Sequence, residues 1–159
     1  MLQEVVKQYN NKLAFVLCPT PLNNECNPYI PRNVEAFKNS CDFAKIGLAV
    51  WKASHEAFYV FDSWMFSDEA GKTWQPRDLA ATKAKAVELI GQSKFDSAES
   101  DPWVPEYIRN CIQMYGQTIQ GGKGGVPKLI FGNRWVIPEP KDADDLVMIL
   151  QKTLALPKP

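Results

Sequence analysis

Apolar residues recur at helical spacing at the start of the chain. Leu2 begins a series that continues at positions 5, 6 and 9, which places these residues on one face of a helix. The next apolar residues form a continuous run from Leu13 to Leu17, bounded by asparagine and proline. A short, dense run of this kind is typical of a strand buried on both faces, as in a parallel sheet. We therefore predict a helix followed by a buried strand over Lys12–Cys18.

A long region with helical spacing follows a proline-rich loop, which contains Pro19, Pro21, Pro28 and Pro31. Asn33 is in position to cap a helix that begins at Val34, because an asparagine side chain accepts hydrogen bonds from the first turn. Ser54 is in position to cap the next helix, and Gly91 to end a later one. Since no strand pattern interrupts this region, the sequence predicts a helical block over about 34–120.

The last part of the chain predicts a hairpin and a closing helix. Two short apolar runs, Lys128–Phe131 and Arg134–Ile137, flank Gly132-Asn133, which is a turn sequence typical of β-hairpins. Asp142 is in position to cap a final helix. The core face of that helix is predicted to carry Leu146, Ile149, Leu150 and Leu154. The whole chain, 1–159, is interpreted as a single domain, since no linker divides it.

Composition excludes some classes of function. The chain has 159 residues, with 18 Lys and Arg against 18 Asp and Glu. A net charge of zero argues against a strongly basic nucleic-acid-binding protein. No apolar run approaches the roughly 20 residues of a membrane span. The start of the chain lacks the basic segment and apolar run of a secretory signal, so no export signal is expected if it is complete.

The four cysteines Cys18, Cys26, Cys41 and Cys111 form no Cys-x-x-C motif. With His55 as the single histidine and no metal-ligand pair at short spacing, we predict no metal and no cofactor. A cysteine in such a setting is most often a small buried apolar residue. Cys18, at the end of the predicted strand, and Cys111, on a helix face, are therefore interpreted as core residues.

The segment from Gly125 to Asn133 resembles the cis-proline strand and hairpin of thioredoxin-like proteins. The stretch from Cys26-Asn27-Pro28 through Cys41 to Trp51, together with Trp64-Met65-Phe66, is similar to bacterial DsbA-like domains. The element order matches the same family with its first strand absent. The resemblance implies an α/β fold, an incomplete thioredoxin-like fold with a helical insertion between the second strand and the cis-proline β-hairpin.

The resemblance also implies roles for particular residues. Val126 would present backbone groups to a peptide substrate, and the Val126–Pro127 bond would be cis. Without the resemblance, a trans bond that opens an edge strand is the simpler interpretation. Cys26 and Cys41 match cysteines in similar sequences and, 15 positions apart, could form a disulfide that stabilises by about 3 kcal/mol. Two buried free thiols are the alternative.

The family's Cys-x-x-C lies at the start of the first helix, directly after the first strand. This chain begins inside that helix, so no catalytic residue carries over. We expect a truncated or degenerate DsbA-like protein, whose parent activity is protein thiol–disulfide exchange, and which is itself redox-inactive. The alternative is a redox-independent peptide-binding module that uses the cis-proline surface. A kappa-type glutathione transferase shares the fold, but its catalytic polar residue would fall in the missing segment.

The missing strand has consequences for partners and location. In this fold that strand lies between the second strand and the hairpin. Its absence is expected to leave unpaired strand edges, with a gap, a direct pairing across it, or self-association through a neighbouring chain. The family resemblance implies a protein or peptide substrate. Relatives are typically periplasmic or exported, but the chain itself does not indicate a compartment.

Overall fold

A computed structural model of the protein describes residues 2–10, 12–67, 77–120, 125–132 and 134–159. The chain divides into two compact units, one formed by 1–17 with 117–159 and the other by 18–116. The described residues are mostly helical and contain one small antiparallel sheet. The helices are α1 (Leu2–Gln8), α2 (Ser40–Ala53), α3 (His55–Phe66), α4 (Leu79–Ile90), α5 (Gln92–Glu99), α6 (Trp103–Gln120) and α7 (Ala143–Leu154), and the strands are β1 (Lys128–Phe131) and β2 (Trp135–Pro138).

The first unit contains the predicted hairpin. β1 and β2 pair in antiparallel register, with Leu129 opposite Ile137 and Phe131 opposite Trp135. Gly132 in the turn has φ 53°, a conformation that glycine adopts without a steric penalty. Asn133, the other predicted turn residue, lies outside the described residues. Helices α1 and α7 pack with the hairpin around a buried core of Val5, Tyr9, Phe131, Leu146 and Leu150.

The strand predicted over Lys12–Cys18 does not form, so that prediction was wrong. Leu13 and Phe15 pack against the core of the first unit, whereas Val16 is 75% exposed. The segment therefore buries alternate side chains instead of both faces. A strand needs a neighbour that supplies ladder hydrogen bonds, and the described sheet consists of β1 and β2 alone. The apolar run alone does not indicate whether a neighbouring strand is present.

Two helices of the second unit begin or end at the residue that the sequence predicts for that position. Ser54 Oγ accepts a hydrogen bond from the Ala57 amide at 3.2 Å, which confirms the predicted cap of α3. Gly91, with φ 82°, ends α4 as predicted. Four of these helices, α2 to α5, bury one apolar cluster. A second cluster joins α2 to α6 through Leu48, Val104, Ile108 and Ile112.

Helix α2 begins at Ser40, so the prediction of a helix from Val34 capped by Asn33 was wrong. Asn33 Oδ1 instead accepts a hydrogen bond from the Asn24 amide at 2.7 Å. Asparagine side chains often bond to nearby loop backbone in this way, in competition with helix capping. A three-residue 3-10 turn, Glu35–Phe37, directly precedes α2, and the Phe37 side chain is exposed.

Helix α7 confirms the predicted cap and corrects its core face. Asp142 Oδ1 accepts a hydrogen bond from the Asp145 amide at 2.8 Å. Leu146 and Leu150 are buried as predicted, but Leu154 is exposed because the helix ends there. Ala155 follows in the left-handed region with φ 52°. None of the helices in the described ranges is long and apolar enough to cross a membrane.

Candidate functional site

Val126 and Pro127 lie in the first unit, directly before β1. The peptide bond between them is cis. Both residues are exposed, with Val126 at 38%. The next residue, Lys128, is half-buried, and its Nζ donates a hydrogen bond to Thr118 Oγ1 at 2.8 Å. Burial lowers the pKa of the Lys128 amine. The exposed dipeptide therefore leads into a strand whose first side chain is anchored on α6.

The strand that follows Pro127 has one neighbour in the sheet. β2 pairs with β1 along one edge, and the part of the chain that the structure describes holds no strand beside the opposite edge. Such an edge presents main-chain groups to which an extended chain can add as a further strand. Phe131 is buried, so the inner face of β1 is committed to the core.

The other sequence-predicted pair, Cys26 and Cys41, lies in the second unit and is a disulfide. The S–S distance is 2.08 Å and the two Cα atoms are 6.2 Å apart. Cys26 belongs to the proline-rich loop, and Cys41 lies in the first turn of α2. The bond therefore ties this loop to a helix. Since Val126 and Pro127 belong to the other unit, the four predicted site residues do not form one described site.

Two buried asparagines hold the same loop. Asn27 is fully buried, its Nδ2 donates to the Pro21 carbonyl at 2.8 Å, and its Oδ1 accepts from the Tyr29 amide at 3.1 Å. Asn23 Nδ2 donates to the Lys38 carbonyl at 2.7 Å. A buried loop carbonyl without a hydrogen-bond partner lowers the stability of the fold. The asparagine side chains therefore supply hydrogen bonds that the backbone of a helix or strand would otherwise provide.

The structure brings together two residues that the sequence did not connect. Cys18 and Cys111 are free cysteines whose side chains hydrogen-bond to each other. The Tyr107 hydroxyl, four residues before Cys111 on α6, also hydrogen-bonds to Cys18. Cys111 is buried as predicted, but Cys18 is half-buried and ends no strand, which corrects its interpretation as a core residue.

These contacts separate the acidities of the two thiols. The hydrogen bond from Cys111 and, to a smaller extent, that from the Tyr107 hydroxyl together lower the pKa of Cys18 to about 7, against the opposing effect of burial. The same bond, with burial, raises the pKa of Cys111. Burial and the neighbouring sulfurs raise the pKa of Tyr107 to about 12. Cys18 is therefore the thiol that ionises first.

Neither metal-binding geometry nor similarity to known proteins assigns a function to the described residues. Across the described ranges, no three or more His, Cys, Asp or Glu side chains are arranged to hold a metal ion. The chain matches no protein-family model, no curated protein and no solved structure. The functional argument therefore rests on the residues and their geometry.

Proposed function

We propose that this chain is a DsbA-like thioredoxin-fold relative that binds extended polypeptide segments at Val126, Pro127 and the adjoining edge of β1. The observation that carries the proposal is the position beside β1, which no described strand occupies, next to an exposed Val-Pro dipeptide. Exchange at a Cys-x-x-C motif is not part of the proposed function, because the sequence has no such motif.

The chemistry of this binding is strand addition. The main chain of an extended peptide would pair with β1 on the side away from β2, which provides affinity without reading side chains. The exposed Val126 side chain and the Pro127 ring would contact one apolar side chain of the peptide. Binding of this kind favours unfolded or extended segments over folded proteins, and it needs no thiol.

The arrangement of elements supports the family proposal. The first unit contains α1, the hairpin and α7, which are the elements that a thioredoxin-like body would retain. Most of the helices, α2 to α5 and most of α6, belong to the second unit, which corresponds to the helical insertion. The segment 12–17 lies in the first unit, where the second strand of such a fold would run.

The test is peptide binding measured by fluorescence anisotropy with a library of short, fluorescein-labelled, cysteine-free peptides. The protein carries Cys18→Ser and Cys111→Ser, so thiol chemistry cannot contribute. We expect Val126→Asp to weaken binding of the tightest peptide about tenfold or more, equivalent to about 1.4 kcal/mol. Met148→Asp is the matched control, since Met148 is an exposed apolar residue of α7 in the same unit.

Two results would contradict the proposed function. The first is a library in which no peptide binds to the folded protein. The second is a Val126→Asp variant that binds as tightly as the Met148→Asp control. Comparison of the two variants separates loss of a contact from the general effect of a new surface charge.

A further inference from the structure

An open cavity lies between α2 and α5, which both belong to the second unit, and it shares no residue with the proposed peptide site. Its volume of about 340 Å³ falls at the lower end of the roughly 300–1,000 Å³ that is usual for small-molecule sites. We propose that this cavity binds a small phosphomonoester, with the phosphate at a rim of lysine and serine side chains and the organic part on a floor of alanines. The lining residues are Lys52, Ala53, Ser93, Lys94, Ser97 and Ala98.

The cavity exists because small side chains stand where α2 and α5 pack. Ala98 is buried in the apolar cluster that α2 to α5 share, and the half-buried Ala53 packs against the same cluster. Ser93 and Ser97 are exposed and lie four positions apart on α5, so both are on one face of that helix. A larger side chain at any of these positions would take up part of the space. The floor is therefore apolar, and the hydroxyls lie at the solvent-exposed rim.

Lys52 is held at the cavity by two neighbouring residues. Its Nζ forms an ion pair with Asp101 Oδ2 at 3.0 Å and lies 5.3 Å from the centre of the Trp103 ring. Asp101 Oδ1 in turn accepts a hydrogen bond from the Trp103 amide at 2.8 Å. A lysine ammonium has several donors, so Lys52 can keep its bond to Asp101 and also donate to a phosphate oxygen. Because Asp101 offsets the charge of Lys52, the net positive charge at the rim comes from Lys94.

The start of α5 adds to the preference of the cavity for an anion. The N-cap residue is Gly91, so no side chain accepts hydrogen bonds from the amides of the first turn. Ser93 and Lys94 belong to that turn and line the cavity. The partial positive charge of a helix start favours negative groups. Lys52, in the last turn of α2, offsets the partial negative charge at the end of that helix.

The rim and the floor together favour a phosphomonoester. Such a group carries about two negative charges and presents three terminal oxygens that accept hydrogen bonds. The rim offers two ammonium groups and two hydroxyls as donors, and none of the six lining residues is acidic. The alanine floor gives an apolar organic part a surface to contact, which inorganic phosphate cannot use. This inference does not depend on peptide binding at Val126.

The test is a titration of the full, ¹⁵N-labelled chain, followed by the NMR shifts of its amides. The probes are phenyl phosphate, inorganic phosphate and, at matched ionic strength, sodium chloride. We expect both phosphates to produce saturable shifts at the amides of Ser93 and Lys94, whereas chloride produces none that saturates. Phenyl phosphate is expected to bind severalfold more tightly than inorganic phosphate, because its ring contacts the alanine floor.

Three variants separate a specific site from a general effect of charge. Lys94→Gln removes a charged donor and is expected to weaken binding of phenyl phosphate about tenfold. Lys45→Gln is the matched control, since Lys45 is an exposed lysine of α2 that does not line the cavity, and it should bind as the wild type does. Ser97→Leu fills the cavity without a change of charge and is expected to abolish the saturable shifts.

Three results would overturn the proposal. The first is the absence of saturable shifts at the amides of Ser93 and Lys94 with phenyl phosphate. The second is phenyl phosphate binding no more tightly than inorganic phosphate, and the third is equal binding by Lys94→Gln and Lys45→Gln. The dispersion of amide signals in each spectrum establishes that the variant is folded. If Ser97→Leu does not fold, Ser93→Leu makes the same test at the other serine of the rim.

Discussion

Cys18, in a loop, and Cys111, within helix α6, shift each other's pKa in opposite directions through a side-chain hydrogen bond. A thiol that donates a hydrogen bond to a neighbouring thiolate stabilises that thiolate and lowers its pKa. The donor's own pKa rises, because its proton is held in that hydrogen bond. Tyr107 adds a second donor to the same sulfur. Two cysteines that no sequence motif connects therefore differ in acidity.

Alkylation of Cys18 is expected to follow its lowered pKa. The thiolate is the reacting form, so the rate with iodoacetamide should rise with pH and level off above a midpoint of about 7. The Cys111→Ala variant removes the first donor and should move the midpoint toward the ordinary thiol value of about 8.5. At pH 7 its rate should therefore fall severalfold. An unchanged midpoint in this variant would show that Cys111 does not stabilise the thiolate.

The Cys26–Cys41 disulfide is expected to stabilise the second unit. It closes a loop of 15 residues, for which restriction of the unfolded chain gives about 3 kcal/mol. The Cys26→Ser/Cys41→Ser double variant should lose roughly that amount in urea unfolding. Cys18→Ser is the control and should lower the free energy of unfolding by much less than the double variant does, since it removes no disulfide. Equal stability of the double variant and the wild type would contradict a structural role.

Asn27 is expected to be the most sensitive polar residue of the loop. Asn27→Ala removes a fully buried amide and leaves the Pro21 carbonyl and the Tyr29 amide without these partners. The expected loss is about 1–3 kcal/mol in thermal or urea unfolding. Asn24→Ala is the matched control, because Asn24 is exposed and joins the loop through its backbone amide. A loss at Asn24 as large as that at Asn27 would argue against the buried network.

The sequence predicted those parts of the fold that depend on local residues. The caps Ser54 and Asp142 and the stop at Gly91 all form, because each acts within one turn of its own helix. The hairpin forms for the same reason. Asn33 does not cap a helix, because its side-chain oxygen accepts a hydrogen bond from the Asn24 amide, nine positions earlier. No local sequence pattern indicates that hydrogen bond.

Features that depend on distant partners could not be predicted. The apolar run before Cys18 resembles a buried strand, but a strand also requires a neighbour, and the described sheet offers none beside this segment. The contact between Cys18 and Cys111 joins a loop to a helix far along the chain. Of the candidate residues, Cys26 and Cys41 were paired through a family resemblance and not through their spacing. Val126 and Pro127 were selected in the same way.

Ala155 is expected to reduce the stability of the first unit. It follows α7 with φ 52°, a left-handed conformation in which an alanine Cβ is crowded and a glycine is not. Ala155→Gly should therefore raise the free energy of unfolding by about 0.5–1 kcal/mol. Ala143→Gly, in the first turn of the same helix, should lower it instead. A destabilised Ala155→Gly variant would contradict the assigned conformation.

The central claim is that an extended peptide pairs with β1 beside Val126. Hydrogen–deuterium exchange of the Cys18→Ser/Cys111→Ser variant, with and without the tightest peptide of the library, tests it most directly. We predict that the peptide slows exchange at the amides of Leu129–Phe131, and that Val126→Asp abolishes this protection. Protection that appears only in the helices of the second unit, or that survives Val126→Asp, would contradict the account.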